Sequence, residues 1–181
     1  MTQPHNSKNH ADATRPVSLP CEGGCTCGQV RYRLLATPLI THGCHCSLCQ
    51  RQTGTAFAIN ALVEAENIEV LSGDIESLKV ASPSGQGQTI ARCATCRVAV
   101  WSCYHRNEMN ERIRFLRVGT LDDPTPFPPD IHIFTSTKLP WLLLPKNVPA
   151  VAEFYRIGET WSHDSLARRA KVLKAGSNHL S

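Results

Sequence analysis

A mainly β fold built from antiparallel strands is what this sequence of 181 residues predicts, and two observations carry the prediction. Apolar residues recur at every second position over short runs, and Gly, Pro, Ser and Asp punctuate those runs. Only one stretch, near the C terminus, has good helical spacing. A chain of this length buries about 70% of its unfolded surface, enough for one core without disulfide staples.

Taken in order, residues 1–20 are polar, hold three prolines and lack apolar periodicity, so they are expected to form a disordered arm. The opening has no stretch resembling a secretory leader, which gives a cytoplasmic expectation. The main domain is expected over 21–157. Val30, Tyr32 and Leu34 alternate with Gln29, Arg31 and Arg33, as a half-buried strand does. Residues 68–71 and 75–80 flank Ser72-Gly73-Asp74 at a spacing that predicts a hairpin. Residues 89–92 and 98–101 flank the turn Cys93-Ala-Thr-Cys96. Ile113, Phe115 and Val118 lie among Arg112, Arg114 and Arg117, which with Arg92 and Arg97 read as the solvent side of strands. The segment 82–88 is expected to be mobile, and 122–130, with four prolines, stiff. A helical tail is expected over 158–181. There Ser162 caps, Asp164 sits in the first turn, Leu166, Ala170 and Leu173 share a face, and Trp161 staples onto Leu166. Its basic residues read as a solvated face.

Composition excludes several classes. The most apolar run, 141–144, is framed by Pro140 and Pro145 and falls far short of the ~20 residues that cross a bilayer, so no membrane role is expected. The formal charge is +4, but between residues 21 and 157 basic and acidic side chains stand at 13 to 12. Nucleic-acid binding needs clustered Lys and Arg, and is not expected here.

Nine cysteines need a chemical explanation, and seven fall into tight groups: Cys25-Thr-Cys27, Cys44-His-Cys46-Ser-Leu-Cys49, and Cys93-Ala-Thr-Cys96. On a strand, positions i and i+2 share a face, so Cys-x-Cys offers two thiolates to one ion, and Cys-x-x-Cys does so around a tight turn. Soft thiolates in separate groups favour two Zn²⁺ ions over an iron-sulfur cluster. Cys46 and Cys49 could join Cys93 and Cys96 as a zinc ribbon. The division favoured here sets Cys25, Cys27, Cys93 and Cys96 as a closed structural site. It leaves Cys44, Cys46 and Cys49 as three ligands of a catalytic ion whose fourth position serves water or substrate. Cys46 and Cys49 also have the spacing of a redox pair. Cys21 and Cys103 read as spectators, with Cys103 an alternative fourth ligand. His45, between two ligands, is expected to face solvent if its loop is extended, and His42, His105 and His132 read as structural or surface residues.

With these residues in hand, the chain resembles the glutathione-dependent formaldehyde-activating enzyme family, whose eukaryotic relatives include centromere protein V. The resemblance covers roughly residues 23–154. Gly24 to Tyr32, Cys44 to Phe57 and Cys93 to Cys96 carry it, followed by Val118 to Pro124, His132 to Phe134 and Ser136 to Trp141. It implies a β-tent of packed antiparallel sheets with a zinc knuckle. It also implies the same division of ligands, structural at Cys25, Cys27, Cys93 and Cys96 and catalytic at Cys44, Cys46 and Cys49. Arg97 departs from the glycine that usually follows the second Cys-x-x-Cys, and predicts a strained knuckle if φ there is positive. The activity implied is that of a carbon-sulfur lyase or synthase adding glutathione, or another thiol, to formaldehyde or a similar small aldehyde. Arg51, Gln52 and Lys138 are candidates for the carboxylates of glutathione, with Arg51 and Lys138 equally readable as plain surface charges. The alternative is a non-catalytic zinc-binding interaction module.

Overall fold

The structure, a computed structural model, describes residues 17–82, 84–105 and 111–175. Ten strands carry it: β1 Cys21–Gly24, β2 Arg31–Leu34, β3 Ile40–Cys44, β4 Ala58–Glu64, β5 Ile68–Ser72, β6 Ile75–Val80, β7 Gln88–Cys93, β8 Ala99–Tyr104, β9 Ile113–Arg117 and β10 Ile131–Ile133. Three helices join them, α1 Ser47–Thr53, α2 Ile157–Thr160 and α3 His163–Ala175. The mainly β class expected from the sequence is what the chain adopts. A three-stranded sheet runs β1-β2-β5, and a seven-stranded one runs β10-β3-β4-β9-β8-β7-β6. Pairing is antiparallel throughout except β10 with β3, where Ile131, His132 and Ile133 lie parallel to His42, Gly43 and Cys44.

The large sheet is covered on both faces, and β4 shows why. Ala61 and Val63 enter a core with Tyr32, Leu34 and Trp101, while Leu62 between them enters a second core with Cys44, Cys49, Ile113 and Trp161. Successive strand residues point to opposite faces, so each core occupies one side of the sheet. The small sheet closes the first side. Helix α1, the 131–134 segment and the C-terminal helices close the second, which holds the Cys44 loop.

The expected hairpin between residues 68–71 and 75–80 does not form, because β5 pairs with β2 and β6 pairs with β7. Both strands exist, but Ser72-Gly73-Asp74 turns the chain from one sheet to the other. Gly73 has φ 84°, and a side chain there would collide with the Gln29 carbonyl. The crossing thus needs glycine at a close backbone approach, which a local turn pattern does not reveal.

Ser162 caps α3 as expected, its Oγ accepting the Ser165 N–H at 3.1 Å. Trp161 and Leu166 both pack into the second core. The basic face of α3 is not wholly solvated: Arg168 reaches back to Glu64 of β4, with Nε–Oε1 2.8 Å and Nη2–Oε2 2.7 Å. The side chain of Glu64 is only 4% exposed, so pairing compensates a desolvated carboxylate, which Arg168 holds below its usual range against the opposing pull of burial.

Candidate metal centre

Two thiol groups form. The Sγ atoms of Cys25, Cys27, Cys93 and Cys96 all lie within 4.8 Å of one another, as do those of Cys44, Cys46 and Cys49. Cys46 and Cys49 are thus separate from Cys93 and Cys96. Cys103 is buried in the first core on β8 and joins neither group.

Folding of distant segments builds the four-thiol group. Cys25 and Cys27 lie in the turn leading to β2, and Cys93 ends β7. The Cys25–Cys27 and Cys27–Cys93 sulfur distances are 3.4 and 3.8 Å. A tetrahedron with ~2.3 Å metal-sulfur bonds has edges of about 3.8 Å, so the spacing fits a zinc-sized ion. Backbone N–H groups point at the sulfurs, Val30 to Cys25 at 3.3 Å and Cys96 to Cys93 at 3.5 Å. Burial works against ionisation of Cys25, but bonds from Val30 and the neighbouring thiols bring its pKa down to about 6. Arg97 closes the knuckle at φ 65°, in the left-handed region, and its N–H donates to the Cys93 carbonyl at 3.0 Å. An exposed ion pair with Glu76 engages its side chain.

The three-thiol group is local and more deeply set. Strand β3, buried along its whole length, delivers Cys44. Cys46 is the N-cap of α1, its Sγ accepting the Cys49 N–H at 3.3 Å, and Gly54 ends that helix at φ 68°. Cys44 donates to Cys46 at 3.5 Å. Hydrogen bonds from the Cys44 and Cys49 thiols hold Cys46 far below the ordinary thiol range, while Cys44 is driven up by sharing its proton with them. Without a cation such a group keeps one thiolate beside protonated partners. A divalent soft ion would instead take all three as thiolates, so the donor set fits zinc.

His45 contradicts its expected solvent-facing placement. Helix α1 begins two residues later, so the loop is not extended, and the ring turns inward at 0% exposure. Its Nε2 lies 3.0 Å from His132 Nδ1, and it stacks on Phe57 at 4.9 Å between centroids. Burial, then the nearby charges of His132 and Lys138, push its pKa down to about 4. His132 is buried as well, and His42 more so, with Nε2 2.5 Å from the Tyr155 hydroxyl. His105 meets Thr89 Oγ1 at 2.7 Å. Of the candidates for a carboxylate seat, Arg51 is exposed on α1. Lys138 Nζ donates to the carbonyls of Leu139 and Leu142 at 3.1 and 2.7 Å, so it fastens its own loop.

Arg117 also departs from expectation, since it does not face solvent. It is 7% exposed, and its guanidinium donates to Asn60 Oδ1 at 2.5 Å and to Gln52 Oε1, on α1, at 3.3 Å. Alternation along β9 places it opposite the first core, but the other face is also covered. Its proximity to the thiols was invisible because it depends on the β4–β9 register, which pairs Asn60 with Arg117.

A mainly β chain with a four-thiol and a three-thiol group defines a class, that of β proteins whose clustered cysteines could hold metal ions. The family is narrower. A family model described as glutathione-dependent formaldehyde-activating enzyme matches residues 20–137, and the chain belongs to that family. A Halomonas elongata protein named "Putative glutathione-dependent formaldehyde-activating enzyme" is 29% identical over 126 residues, which cover 67% of this chain and 78% of that protein. A crystal structure of a Rhodobacter sphaeroides protein aligns with a TM-score of 0.43 at 20% identity, covering 72% of this chain and 99% of the other. Among the described residues no helix is long and apolar enough to cross a membrane.

Proposed function

We propose that the protein is a zinc-dependent carbon-sulfur lyase/synthase that adds a thiol, glutathione as the leading candidate, to formaldehyde or a similar small aldehyde. The observation that carries this reading is the three-thiol group: Cys44, Cys46 and Cys49 converge, and among the described residues no fourth His, Cys, Asp or Glu ligand atom joins them. Structural zinc sites take four protein ligands, whereas three leave a position for exchange. Cys25, Cys27, Cys93 and Cys96 are assigned to a structural ion, giving two zinc ions per chain. Held by Cys44, Cys46 and Cys49, zinc would be a weak but soft Lewis acid and would supply a centre able to keep a thiol deprotonated near neutral pH.

The chain's own residues do the rest. Cys44, Cys46 and Cys49 fix the place at which the substrate sulfur enters. Helix α1 and the second core shut bulk water from the inner side, and the exposed Arg51 is one turn along the helix from Ser47, available to a glutathione carboxylate. The substrate sulfur attacks the carbonyl carbon, the C=O π pair moves to oxygen, and the proton lost by the thiol ends there. The product is an S-hydroxyalkyl adduct, and reversal is carbon-sulfur cleavage. Nine free thiols, seven of them in the two thiol groups, suit the reducing cytoplasm in which we place this activity.

X-ray absorption on zinc-loaded protein tests the reading. The sulfur count averaged over two ions should rise from about 3.5 toward 4 when glutathione is added, with glutathione-dependent formaldehyde consumption in parallel. An unchanged count under saturating thiol, with no effect on formaldehyde, would replace it by the non-catalytic zinc module.

A further inference from the structure

A thiol adding to an aldehyde creates negative charge on the carbonyl oxygen, and an ion already surrounded by three thiolates is poorly placed to draw that charge off. Such a site needs a separate cation or strong donor at the oxygen. Arg117 is buried beside the three-thiol group without the carboxylate partner that burial of a guanidinium ordinarily demands. The contrast inside the molecule is direct. Arg168, with its side chain 19% exposed, has two charge-assisted bonds to Glu64. Arg117, at 7%, has among the described residues only the neutral oxygens of Asn60 and Gln52, and among those residues its buried Nε has no hydrogen-bond partner.

Position agrees with this role. Gln52 stands three residues after Cys49 on α1, one helical turn on, while Asn60 lies on β4 two residues from Ala58, the strand partner of Cys44. Arg117 thus bonds to the helix that carries Cys49 and to the strand paired with the one that carries Cys44. Asn60 and Gln52 fix the plane of the guanidinium, which leaves a directed N–H rather than a mobile charge.

We propose that Arg117 is a catalytic residue that binds the carbonyl oxygen of the aldehyde and stabilises the alkoxide formed as the thiol sulfur bonds to carbon. The assignment rests on the thiol-aldehyde reading. In the forward direction the C=O π pair collects on the oxygen facing Arg117, and the proton released from the thiol completes the hydroxyl. Nothing is oxidised or reduced. In reverse, Arg117 receives the oxygen as the C–S bond breaks.

The test compares Arg117→Met and Arg117→Lys with the parent protein, full-length and zinc-loaded, after thermal melts and zinc counts. Formate, a planar one-carbon oxyanion, serves as a binding probe independent of turnover, titrated by calorimetry. Arg117→Met should lower kcat for glutathione and formaldehyde by about 100-fold, the usual loss when one oxyanion donor is removed. It should abolish formate binding and leave the sulfur count with glutathione unchanged. Arg117→Lys retains charge but loses the fork, and decides the matter if the Met variant does not fold: kcat reduced by about tenfold or more with two zinc ions retained supports the assignment. Parental kcat and formate affinity in a folded variant overturn it while the thiol-aldehyde reading stands. A loss that follows zinc release, and that Lys fully restores, also overturns it, since Arg117 is then only a counter-ion to the thiolates. No turnover and no formate binding in the parent protein overturn both.

Discussion

The two thiol groups offer the same donor chemistry under opposite chain constraints. Cys25 and Cys27 meet Cys93 and Cys96 across some 66 residues and tie the approach to the small sheet to the large one, whereas Cys44, Cys46 and Cys49 span the end of one strand and the start of one helix. Cys27 is exposed at the rim of the molecule, while Cys44 and Cys49 are built into the second core. The first group brings distant segments together. The second gets its constraint from the fold, and its environment of Arg117, His45 and Phe57 is what a site for chemistry would add.

The largest expected effect falls on the first group. A structural zinc site is worth ~10–16 kcal/mol, against ~5–15 kcal/mol for the stability of a whole domain. Cys96→Ser is expected to give insoluble protein or one melting tens of degrees lower, as thermal melts would show, because the long loop it closes regains its freedom. Cys49→Ser is expected to stay folded, to hold about one zinc by elemental analysis, and to lose thiol-aldehyde turnover, since little chain entropy is constrained within six residues. Equal unfolding of the two variants would break the comparison.

Stepwise chelation sharpens it. Zinc at Cys44, Cys46 and Cys49 should leave first, with activity lost while circular dichroism is unchanged. Zinc at the four-thiol group should leave later, together with the fold. Simultaneous loss of both ions would mean that the groups do not differ as described. The smallest effect is expected at Arg97→Gly. Relief of a left-handed non-glycine residue, partly offset by glycine's greater unfolded-state freedom, should raise stability by about 1 kcal/mol, a melting shift of about 2–4 °C. Turnover should not change, because Arg97 belongs to the knuckle alone. A lower melting temperature would assign more value to the Glu76 pair than exposed pairs ordinarily have.

Legibility in the sequence followed range. The strands at 31–34, 88–93, 99–104 and 113–117, and the capped terminal helix, could be read because alternation and capping are local. The cysteine spacing named the thiols, but more than one pairing was compatible with it. What could not be read depended on which sheet a strand joined. Ile68–Ser72 and Ile75–Val80 have hairpin spacing, but β5 pairs with β2 and β6 with β7, a long-range choice that local spacing does not carry. Arg117 looked solvated because alternation predicts an outer face only for a sheet that has one. His45 was misplaced because Cys46 opens a helix, a cap role for which cysteine is an unusual choice.

Gly43 lies on β3 beside His132, and any side chain there would occupy the space of the His132 ring. That ring in turn meets His45, between two of the thiols. The consequence is evolutionary: positions 43, 132 and 45 cannot drift independently. A lineage that places alanine at 43 must first shrink or move the residue at 132, and so give up the partner of the imidazole beside Cys44 and Cys46. Descendants are therefore expected to change these three positions as a set or not at all, and a comparison of relatives in which 43 varies freely beside an intact histidine pair would refute the linkage.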